Sequence, residues 1–261
     1  AQPEEMTVRS LTLLGCTGSI GASTLDVVAR HPDRFAVFAV VARRSVDRVF
    51  AQCLAHKPRF AVMTDHAAAD DLRGRIVAAG LPVEVLAGEE GAIAVSGASE
   101  VDTVVAAVVG AAGLKPALAA ASAGKRILLA NKEALVMAGP VFLDAADRGG
   151  ATILPVDSEH CAIFQCLDGE AESAVRKVWL TGSGGPFRTR SLATFGTITP
   201  SEALQHPTWT MGPRITVGSA TMMNKAFEVI EAHWLFDLAP QRIEVVLHPQ
   251  SIVHSMVEFV D

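Results

Sequence analysis

The sequence has 261 residues, half of them hydrophobic, so it is long enough to bury a large core and is expected to form two domains. Its 22 basic and 28 acidic residues give a net charge of −6, which argues against a nucleic-acid or anionic-membrane surface and favours a small-molecule substrate. The four cysteines have no C-x-x-C spacing and are interpreted as reduced thiols of a cytoplasmic protein. No stretch reaches the roughly 18 apolar residues that span a bilayer. No signal peptide is evident in residues 1–10, which we interpret as a flexible start.

Residues 1–150 alternate short apolar runs with longer alanine- and leucine-rich segments, a pattern typical of βαβ units. The runs are continuously apolar, which predicts a mostly parallel sheet with helices on both faces. Predicted strands cover 10–15, 35–42, 59–64, 83–88, 102–110, 126–131 and 151–156. Predicted helices lie near 21–31, 45–56, 66–79, 89–97, 114–123 and 132–148.

After about residue 157 the sequence becomes richer in glycine and threonine, which predicts a second, α+β domain. The predicted domains are therefore 1–150 and 151–261. The sequence ends in strand-like segments without a capping helix, and we interpret it as part of a longer protein.

Three glycines, Gly15, Gly18 and Gly21, lie between the first predicted strand and the first predicted helix, in "LLGCTGSIGASTLDVV". Glycines at such a junction let a pyrophosphate approach the N–H groups of a helix N-terminus. An ordinary turn is the alternative, and the spacing is G-x-x-G-x-x-G rather than G-x-G-x-x-G. The strand before and the helix after favour nucleotide binding.

Two further groups of polar residues follow predicted strands. Arg43 and Arg44 come after the second strand, and paired guanidiniums suit the 2′-phosphate of NADPH, although they could be solvated charges on a surface loop. Asn131, Lys132 and Glu133 lie at the carboxyl end of the strand at 126–131, the edge where open α/β sheets bind ligands. The alternative for these three is the first turn of an exposed helix.

Asp157 and Glu159 follow the last of these strands, in "ILPVDSEHCAIFQ". In an extended segment residues i and i+2 point to the same side, so both carboxylates would converge while Ser158 faces away. Converging carboxylates repel unless a cation lies between them, and hard oxygen ligands suit Mg²⁺ or Mn²⁺. The alternative is a solvated acidic turn that caps the following helix.

A third carboxylate comes from Glu228, which shares a helix face with Asn224 four residues earlier. Ser219, Asn224 and Lys225 offer donors for a phosphate group, as does Ser183 in the glycine-rich "TGSGG".

Four histidines accompany these residues. His206 lies with Trp209 in "HPTWTMG", a segment with proline and glycine that we interpret as a mobile lid. His160 is expected to orient a neighbouring side chain rather than bind a metal. His248 and His254, in strand-like context, are interpreted as core or supporting histidines.

Together these strings resemble one family. "GCTGSIGASTLDVV", "GAAGL", "LLANKEALV", "LPVDSEHCAIFQ", "TGSGGPFR", "HPTWTMG", "SATMMNK" and "HPQSIVHSMV" have the order and spacing of the 1-deoxy-D-xylulose 5-phosphate reductoisomerases. The resemblance runs from about residue 8 to the end, and "LPVDSEH" together with "SATMMNK" is its most specific part.

The resemblance implies a Rossmann-like, NADPH-binding first domain and a catalytic α+β second domain. It implies conversion of 1-deoxy-D-xylulose 5-phosphate to 2-C-methyl-D-erythritol 4-phosphate in non-mevalonate isoprenoid biosynthesis, with NADPH and Mg²⁺ or Mn²⁺, by a cytoplasmic homodimer. The implied cofactor residues are Thr17, Gly18, Ser19, Ile20, Arg43, Arg44, Ser45, Asn131, Glu133 and Gly212. The implied metal ligands are Asp157, Glu159 and Glu228, which with Lys132 form the catalytic set. The implied substrate residues are Lys132, Ser158, Glu159, Ser183, His206, Trp209, Met211, Ser219, Asn224, Lys225 and Glu228.

The sequence departs from the family pattern at three places. Residues 43–45 stand where members usually have a glycine, a basic residue and an asparagine, Gly218 replaces an aspartate, and residues 226–227 replace a glycine-leucine pair. Two other functions remain open at this point. One is a cofactor-binding module without catalysis, and the other is a dehydrogenase for an amino-acid semialdehyde, which gives no reason for three carboxylates.

Overall fold

The computed structural model describes residues 8–261. They form two compact units, the first ending at Leu154 and the second spanning Pro155–Asp261. Residues 1–7, most of the predicted flexible start, lie outside the described residues. Among the helices of the described part, none combines the length and the apolar character needed to cross a bilayer.

A seven-stranded sheet forms the centre of the first unit. Its strands are β1 (Arg9–Leu14), β2 (Phe35–Ala42), β3 (Phe60–Met63), β4 (Glu84–Ala87), β5 (Thr103–Ala106), β6 (Arg126–Leu129) and β7 (Thr152–Pro155). Their order is β4-β3-β2-β1-β5-β6-β7, and the pairings from β4 through β6 are parallel. Strands β2 to β4 lie on one side of β1, and β5 to β7 lie on the other side. In open α/β sheets, the point where the strand order reverses, here between β1 and β5, has a ligand-binding crevice at the carboxyl ends of the strands.

Every predicted strand of this unit is present, and the central strands are buried on both faces, whereas β4 and β7 at the two edges are only partly buried. In β2, for example, the six residues from Val37 to Ala42 are all buried. One prediction is too long: the run at 102–110 leaves the sheet after Ala106. That residue pairs with Leu14 and Leu129, the last residues of both neighbouring strands, so no partner exists farther along.

Six helices connect the strands: α1 (Ser19–Arg30), α2 (Val46–His56), α3 (His66–Ala78), α4 (Gly88–Gly97), α5 (Leu114–Ser122) and α6 (Lys132–Gly149). A 3₁₀ turn, Ala111–Gly113, precedes α5. The predicted helix at 132–148 is present as α6, with a kink at Ala138, where φ is −144° and ψ is 28°. Pro140 explains the kink, because it lacks an N–H donor and its ring clashes with the preceding turn.

The second unit contains α7 (Ser158–Leu167), β8 (Val175–Gly182), α8 (Pro200–Ala203), α9 (Pro213–Ala220), α10 (Met223–Phe236), β9 (Ile243–Leu247) and β10 (Ser255–Phe259), with 3₁₀ turns at Glu172–Ala174, Leu192–Thr197 and Pro240–Arg242. Its sheet has the order β10-β8-β9, antiparallel on one side of β8 and parallel on the other. Ile163 of α7 and Ala232 of α10 pack against Val178 and Leu180 of β8 in a separate core.

One long segment of this unit has no core of its own. No residue between Pro186 and Ile215 is buried. Polar contacts hold it instead: the Arg190 guanidinium bonds Glu202 at 2.7 Å and Thr197 at 3.0 Å. Such segments open at low free-energy cost, which agrees with the predicted lid.

Candidate active site

The glycine-rich turn leads directly from β1 into α1. Gly18 precedes α1 as its N-cap residue and donates its N–H to the Gly15 carbonyl at 3.0 Å. Ser19 and Ile20 lie exposed in the first helical turn, where N–H groups have no intrahelical acceptor. A Cβ atom on Gly21 would lie 2.5 Å from Cys16 Cα, so only glycine allows the turn to fold this closely onto the helix. The arrangement suits a pyrophosphate.

The residues that follow β2 are exposed at the same sheet edge. Arg44 forms an ion pair with Asp65, Nε to Oδ2, at 2.6 Å. This hydrogen bond, together with one from the Ala68 N–H, holds the pKa of Asp65 below its ordinary value. Ser45 is the N-cap residue of α2 and Arg43 lies exposed before it, so the structure leaves both guanidiniums at the carboxyl edge of the sheet.

Asn131 is the most buried of the predicted cofactor residues, with 2% of its surface exposed. It stands at the N-cap of α6, and its Nδ2 donates to the Gly110 carbonyl at 3.1 Å. Within the described part of the chain its Oδ1 has no hydrogen-bond partner. Because buried acceptors rarely stay unpaired, this oxygen fits a donor from a bound molecule. Lys132 and Glu133 lie half-buried in the next turn.

The prediction that residues 157–159 are extended is wrong, because α7 already begins at Ser158. Asp157 is its N-cap residue, and its Oδ1 accepts the Glu159 N–H at 3.2 Å. Asp157 nevertheless both caps α7 and lies close to two other carboxylates. One oxygen each from Asp157, Glu159 and Glu228 lies within 4.8 Å of the others.

Three neighbours hold these carboxylates. The buried Lys225 ammonium forms an ion pair with Glu228 and lies 3.9 Å from Glu159 Oε1. Asn224 Nδ2 donates to Glu228 Oε1 at 2.6 Å, which confirms the predicted shared helix face. Ser158 Oγ donates to Glu159 Oε2 at 2.8 Å.

The Lys225 side chain reaches this position along β8. Its ammonium also donates to the Thr181 carbonyl, and a Cβ atom on Gly182 would lie 2.9 Å from Lys225 Cε. The absence of a side chain at Gly182 therefore lets the lysine pass.

Burial and the repulsion among the three carboxylates affect the pKa of Glu159. Burial, and next the charges of Glu228 and Asp157, raise its pKa to about 7 although Lys225 opposes them. A divalent cation among the three carboxylates would remove this repulsion, and oxygen donors are the ligands that Mg²⁺ and Mn²⁺ prefer. The donor set fits such an ion.

His160 links α7 to α10, and its orienting role stays a prediction, since Asp157, His160 and Glu231 also lie close enough together to hold a metal ion. Its Nε2 lies 2.9 Å from the Glu228 carbonyl oxygen, and its Nδ1 lies 3.3 Å from Asp157 Oδ1 and 3.5 Å from Glu231 Oε2. Burial lowers its pKa, but the Asp157 and Glu231 carboxylates outweigh burial and raise the pKa to about 9. Glu231 is not among the predicted site residues, although its position three residues after Glu228, on the same face of α10, indicates it.

Ser183 and His206 lie together in the second unit. Ser183 Oγ is 3.0 Å from His206 Nε2, while His206 Nδ1 accepts the N–H groups of Thr208 and Trp209 at 3.1 and 2.9 Å. Since Nδ1 acts as an acceptor, Nε2 carries the proton and donates to the serine. Burial, and then the charge of Arg188, lower the pKa of His206, which favours this neutral form.

The sequence predicts core or supporting roles for His248 and His254. Both are half-buried, His248 directly after β9 and His254 directly before β10, so neither is a core residue and the supporting role remains a prediction. His254 Nδ1 lies 3.7 Å from Glu159 Oε1, and its ring is 6.4 Å from that of Trp209. No periodic pattern marks this position.

The remaining predicted residues lie on or before α9. Met211 and Gly212, the N-cap residue, precede it, and the half-buried Ser219 lies near its end. Only two residues, Thr221 and Met222, separate α9 from α10, and Met222 has a left-handed backbone with φ +61°. That conformation is uncommon outside glycine and sets the turn between the two helices.

Two family models match this chain. The 1-deoxy-D-xylulose 5-phosphate reductoisomerase model covers residues 11–139, and the model of the C-terminal domain of that enzyme covers 153–236. The chain belongs to the 1-deoxy-D-xylulose 5-phosphate reductoisomerase family. The resemblance seen in the sequence motifs is thereby confirmed.

Individual reductoisomerases agree with the family match. The 1-deoxy-D-xylulose 5-phosphate reductoisomerase of Aromatoleum aromaticum is 57% identical over 266 residues, which cover 100% of this chain and 66% of that protein. A crystal structure of a DOX-P reductoisomerase with NADPH, fosmidomycin and magnesium has a TM-score of 0.92 and 46% identity, covering 97% of this chain and 64% of that one. The Zymomonas mobilis reductoisomerase in complex with NADPH has a TM-score of 0.90 and 45% identity, with 98% and 65% covered. The predicted α/β fold class is confirmed, and the chain spans just under two thirds of the length of these reductoisomerases.

Proposed function

We propose that the chain catalyses the NADPH- and divalent-metal-dependent isomerisation and reduction of 1-deoxy-D-xylulose 5-phosphate to 2-C-methyl-D-erythritol 4-phosphate. The observation that carries the proposal is the convergence of three carboxylates within 4.8 Å in a chain of this family. The semialdehyde dehydrogenase alternative leaves that cluster unexplained.

In this proposal Asp157, Glu159 and Glu228 hold Mg²⁺ or Mn²⁺. The bound ion supplies a Lewis acid that stabilises negative charge on substrate oxygens as the carbon skeleton rearranges. Ser158 positions Glu159 through the 2.8 Å bond, and Asn224 positions Glu228 through the 2.6 Å bond. Lys225 keeps these carboxylates close together when no cation balances them.

Donors on the loop after β8 and on α9 and α10 hold the substrate phosphate. His206 donates its Nε2 proton to Ser183 Oγ, which leaves the serine hydroxyl hydrogen available for a phosphate oxygen. Ser219, Asn224 and Lys225 add donors from α9 and α10. Trp209 and Met211 close over the substrate and exclude water.

The residues at the carboxyl edge of the parallel sheet would hold NADPH, which would supply hydride for the reduction. Thr17, Ser19 and Ile20 would offer backbone donors to its pyrophosphate, and Gly18, whose N–H bonds the Gly15 carbonyl, would let the pyrophosphate approach closely. Arg43, Arg44 and Ser45 would receive the 2′-phosphate, and the unpaired Asn131 Oδ1 would accept a donor. Family membership supports Lys132 as a substrate residue and Glu133 and Gly212 as cofactor residues.

A spectrophotometric assay of NADPH oxidation with 1-deoxy-D-xylulose 5-phosphate tests the proposal. The wild-type chain is expected to oxidise NADPH only with Mg²⁺ or Mn²⁺ present, and Asp157→Asn and Glu228→Gln to abolish turnover while NADPH affinity stays near normal. Unchanged turnover in both variants would refute the carboxylate assignment. NADPH binding without turnover at any metal concentration would instead identify a non-catalytic cofactor-binding module.

We further propose that the chain acts in the cytoplasm as a homodimer. Family membership supports both statements. Sedimentation equilibrium of the 261-residue chain tests the dimer, for which a mass near twice 27.4 kDa is expected. Cell fractionation tests the compartment, and recovery in the membrane fraction would contradict it.

A further inference from the structure

Two side chains of α2 hold the backbone of the glycine-rich turn. Gln52 Nε2 donates to the Cys16 carbonyl at 2.9 Å, and Arg48 Nη1 donates to the Thr17 carbonyl at 3.0 Å. Arg48 and Gln52 are four residues apart, so both project from one face of the helix. They therefore bind two consecutive peptide groups of the turn.

These contacts fix where the N–H groups of the turn point. None of the described peptide bonds is cis, and in a trans peptide the carbonyl and the N–H point in opposite directions. The Gln52 bond thus directs the Thr17 N–H away from α2. The Arg48 bond does the same for the Gly18 N–H, which donates to the Gly15 carbonyl at 3.0 Å.

Only the nitrogen of the Gln52 side-chain amide forms a hydrogen bond to the turn. The amide oxygen, Oε1, is buried and has no hydrogen-bond partner among residues 8–261. An unpaired buried acceptor lowers the stability of the fold. If Gln52 contributed only to the stability of the fold, an apolar side chain at this position would avoid the cost of the unpaired acceptor. The hydrogen bond from Gln52 to the turn therefore needs another explanation.

We propose that Gln52 and Arg48 are positioning residues that preorganise the turn for the pyrophosphate of the dinucleotide. The inference rests on the proposed function, because it takes the turn to be the cofactor site. A turn already oriented loses less conformational freedom on binding, which raises affinity. NADPH and NADH share the pyrophosphate, so both should depend equally on Gln52 and Arg48.

Gln52→Glu tests the inference, because it keeps the shape of the side chain but replaces the amide donor by an oxygen that repels the Cys16 carbonyl. Ala51→Glu is the matched control, since it adds the same charge at the exposed neighbouring position. Fluorescence titration of the 261-residue chain should give Kd values about tenfold higher in Gln52→Glu for NADPH and for NADH, equivalent to about 1.4 kcal/mol. The control should bind both as the wild type does.

Arg48 provides a second test that does not endanger folding, because its side chain is exposed. Arg48→Ala should weaken both cofactors by about fivefold, the loss of one hydrogen bond. Arg48→Lys keeps a donor and should restore most of the affinity. Arg30→Ala, at the far end of α1, is the control for loss of a positive charge.

The outcomes separate the inference from the proposed function. If the wild type binds NADPH and the variants bind as tightly as their controls, the inference is wrong and the cofactor site stands. Weakening of NADPH alone would also overturn it and would assign Gln52 and Arg48 to recognition of the 2′-phosphate. If the wild type binds neither cofactor, the proposed cofactor site fails and the inference fails with it.

Discussion

Under the proposed function, the glycine-rich turn of the first unit and the carboxylate cluster of the second bind opposite charges by opposite means. The turn offers backbone N–H groups to an anion, and the nearby Arg48 faces a carbonyl. The cluster offers side-chain oxygens to a cation and keeps three like charges together with the Lys225 ammonium. A backbone site should tolerate changes in the chemistry of the side chains on the turn itself but no added volume, and a side-chain site should do the reverse.

Adding one carbon to the turn should have the largest effect. In Gly21→Ala the new Cβ meets the Cys16 backbone at 2.5 to 2.6 Å, so the turn must move, and NADPH affinity should fall on the order of 100-fold, about 2.7 kcal/mol. Gly74→Ala is the matched control, because no atom lies within 4 Å of its Cβ in α3. The control should gain up to about 1 kcal/mol in unfolding free energy. Equal NADPH affinity in the two variants would contradict the comparison.

Removing the charge that holds the cluster should come next. Lys225→Met leaves the buried Glu228 without its ion pair, so the free energy of unfolding should fall by about 3 kcal/mol. Added Mg²⁺ should restore part of this loss, because it supplies the missing positive charge. Lys177→Met breaks the more exposed pair with Glu244 and should cost less than about 1 kcal/mol, independent of Mg²⁺. Urea unfolding with and without Mg²⁺ measures both, and matching responses would refute the role of Lys225.

The two regions also differ in how far the sequence predicts them. The central strands of the first unit follow from runs of residues that are buried on both faces, a local signal. The carboxylates were predicted to converge, but from an extended backbone, whereas α7 begins at Ser158 and places them differently. The sequence pattern treated the helix cap and the carboxylate cluster as alternatives, whereas Asp157 has both roles.

The residues that the sequence did not reveal have long-range contacts. Gln52 contacts a carbonyl 36 positions away, and His254 lies near Glu159 through the pairing of β10 with β8. Neither contact leaves a periodic pattern or a motif spacing. Such residues become visible only when tertiary structure brings distant segments together.

The segment between Pro186 and Ile215 differs from both regions, because it has neither a closely packed glycine turn nor a buried group of charges. His206 is neutral and its pKa is lowered, so it stabilises the segment above about pH 6.5, and this contribution is lost as pH falls through the lower folded pKa. Hydrogen exchange of residues 206–210, corrected for intrinsic rates, should therefore speed up as the pH drops from 7.5 to 5. His206→Ala should exchange fast throughout. Wild-type exchange that is independent of pH would contradict this account.

The smallest effect is expected at Glu202, which is only partly buried. A hydrogen bond from the Thr199 N–H, and then one from Arg190, lower its pKa from 4.5 to about 2. The carboxylate therefore stabilises the segment above pH 4.5, and the contribution disappears as the pH falls towards about 2. Glu202→Gln should flatten the acid dependence of hydrogen exchange at 190–204 in this window. Glu84→Gln, on the exposed surface of β4, should leave it unchanged.

The two-residue link between α9 and α10 has a further consequence. Since Met222 is held in a left-handed conformation, Ser219 on α9 and Glu228 on α10 keep a fixed spacing. Under the proposed function, the phosphate of the substrate binds at Ser219 and its reacting oxygens bind near Glu228, at a fixed distance from each other. A phosphosugar that is one carbon shorter could reach only one of these two positions. It should therefore compete weakly against the five-carbon substrate, which would show that the chain selects substrates by length.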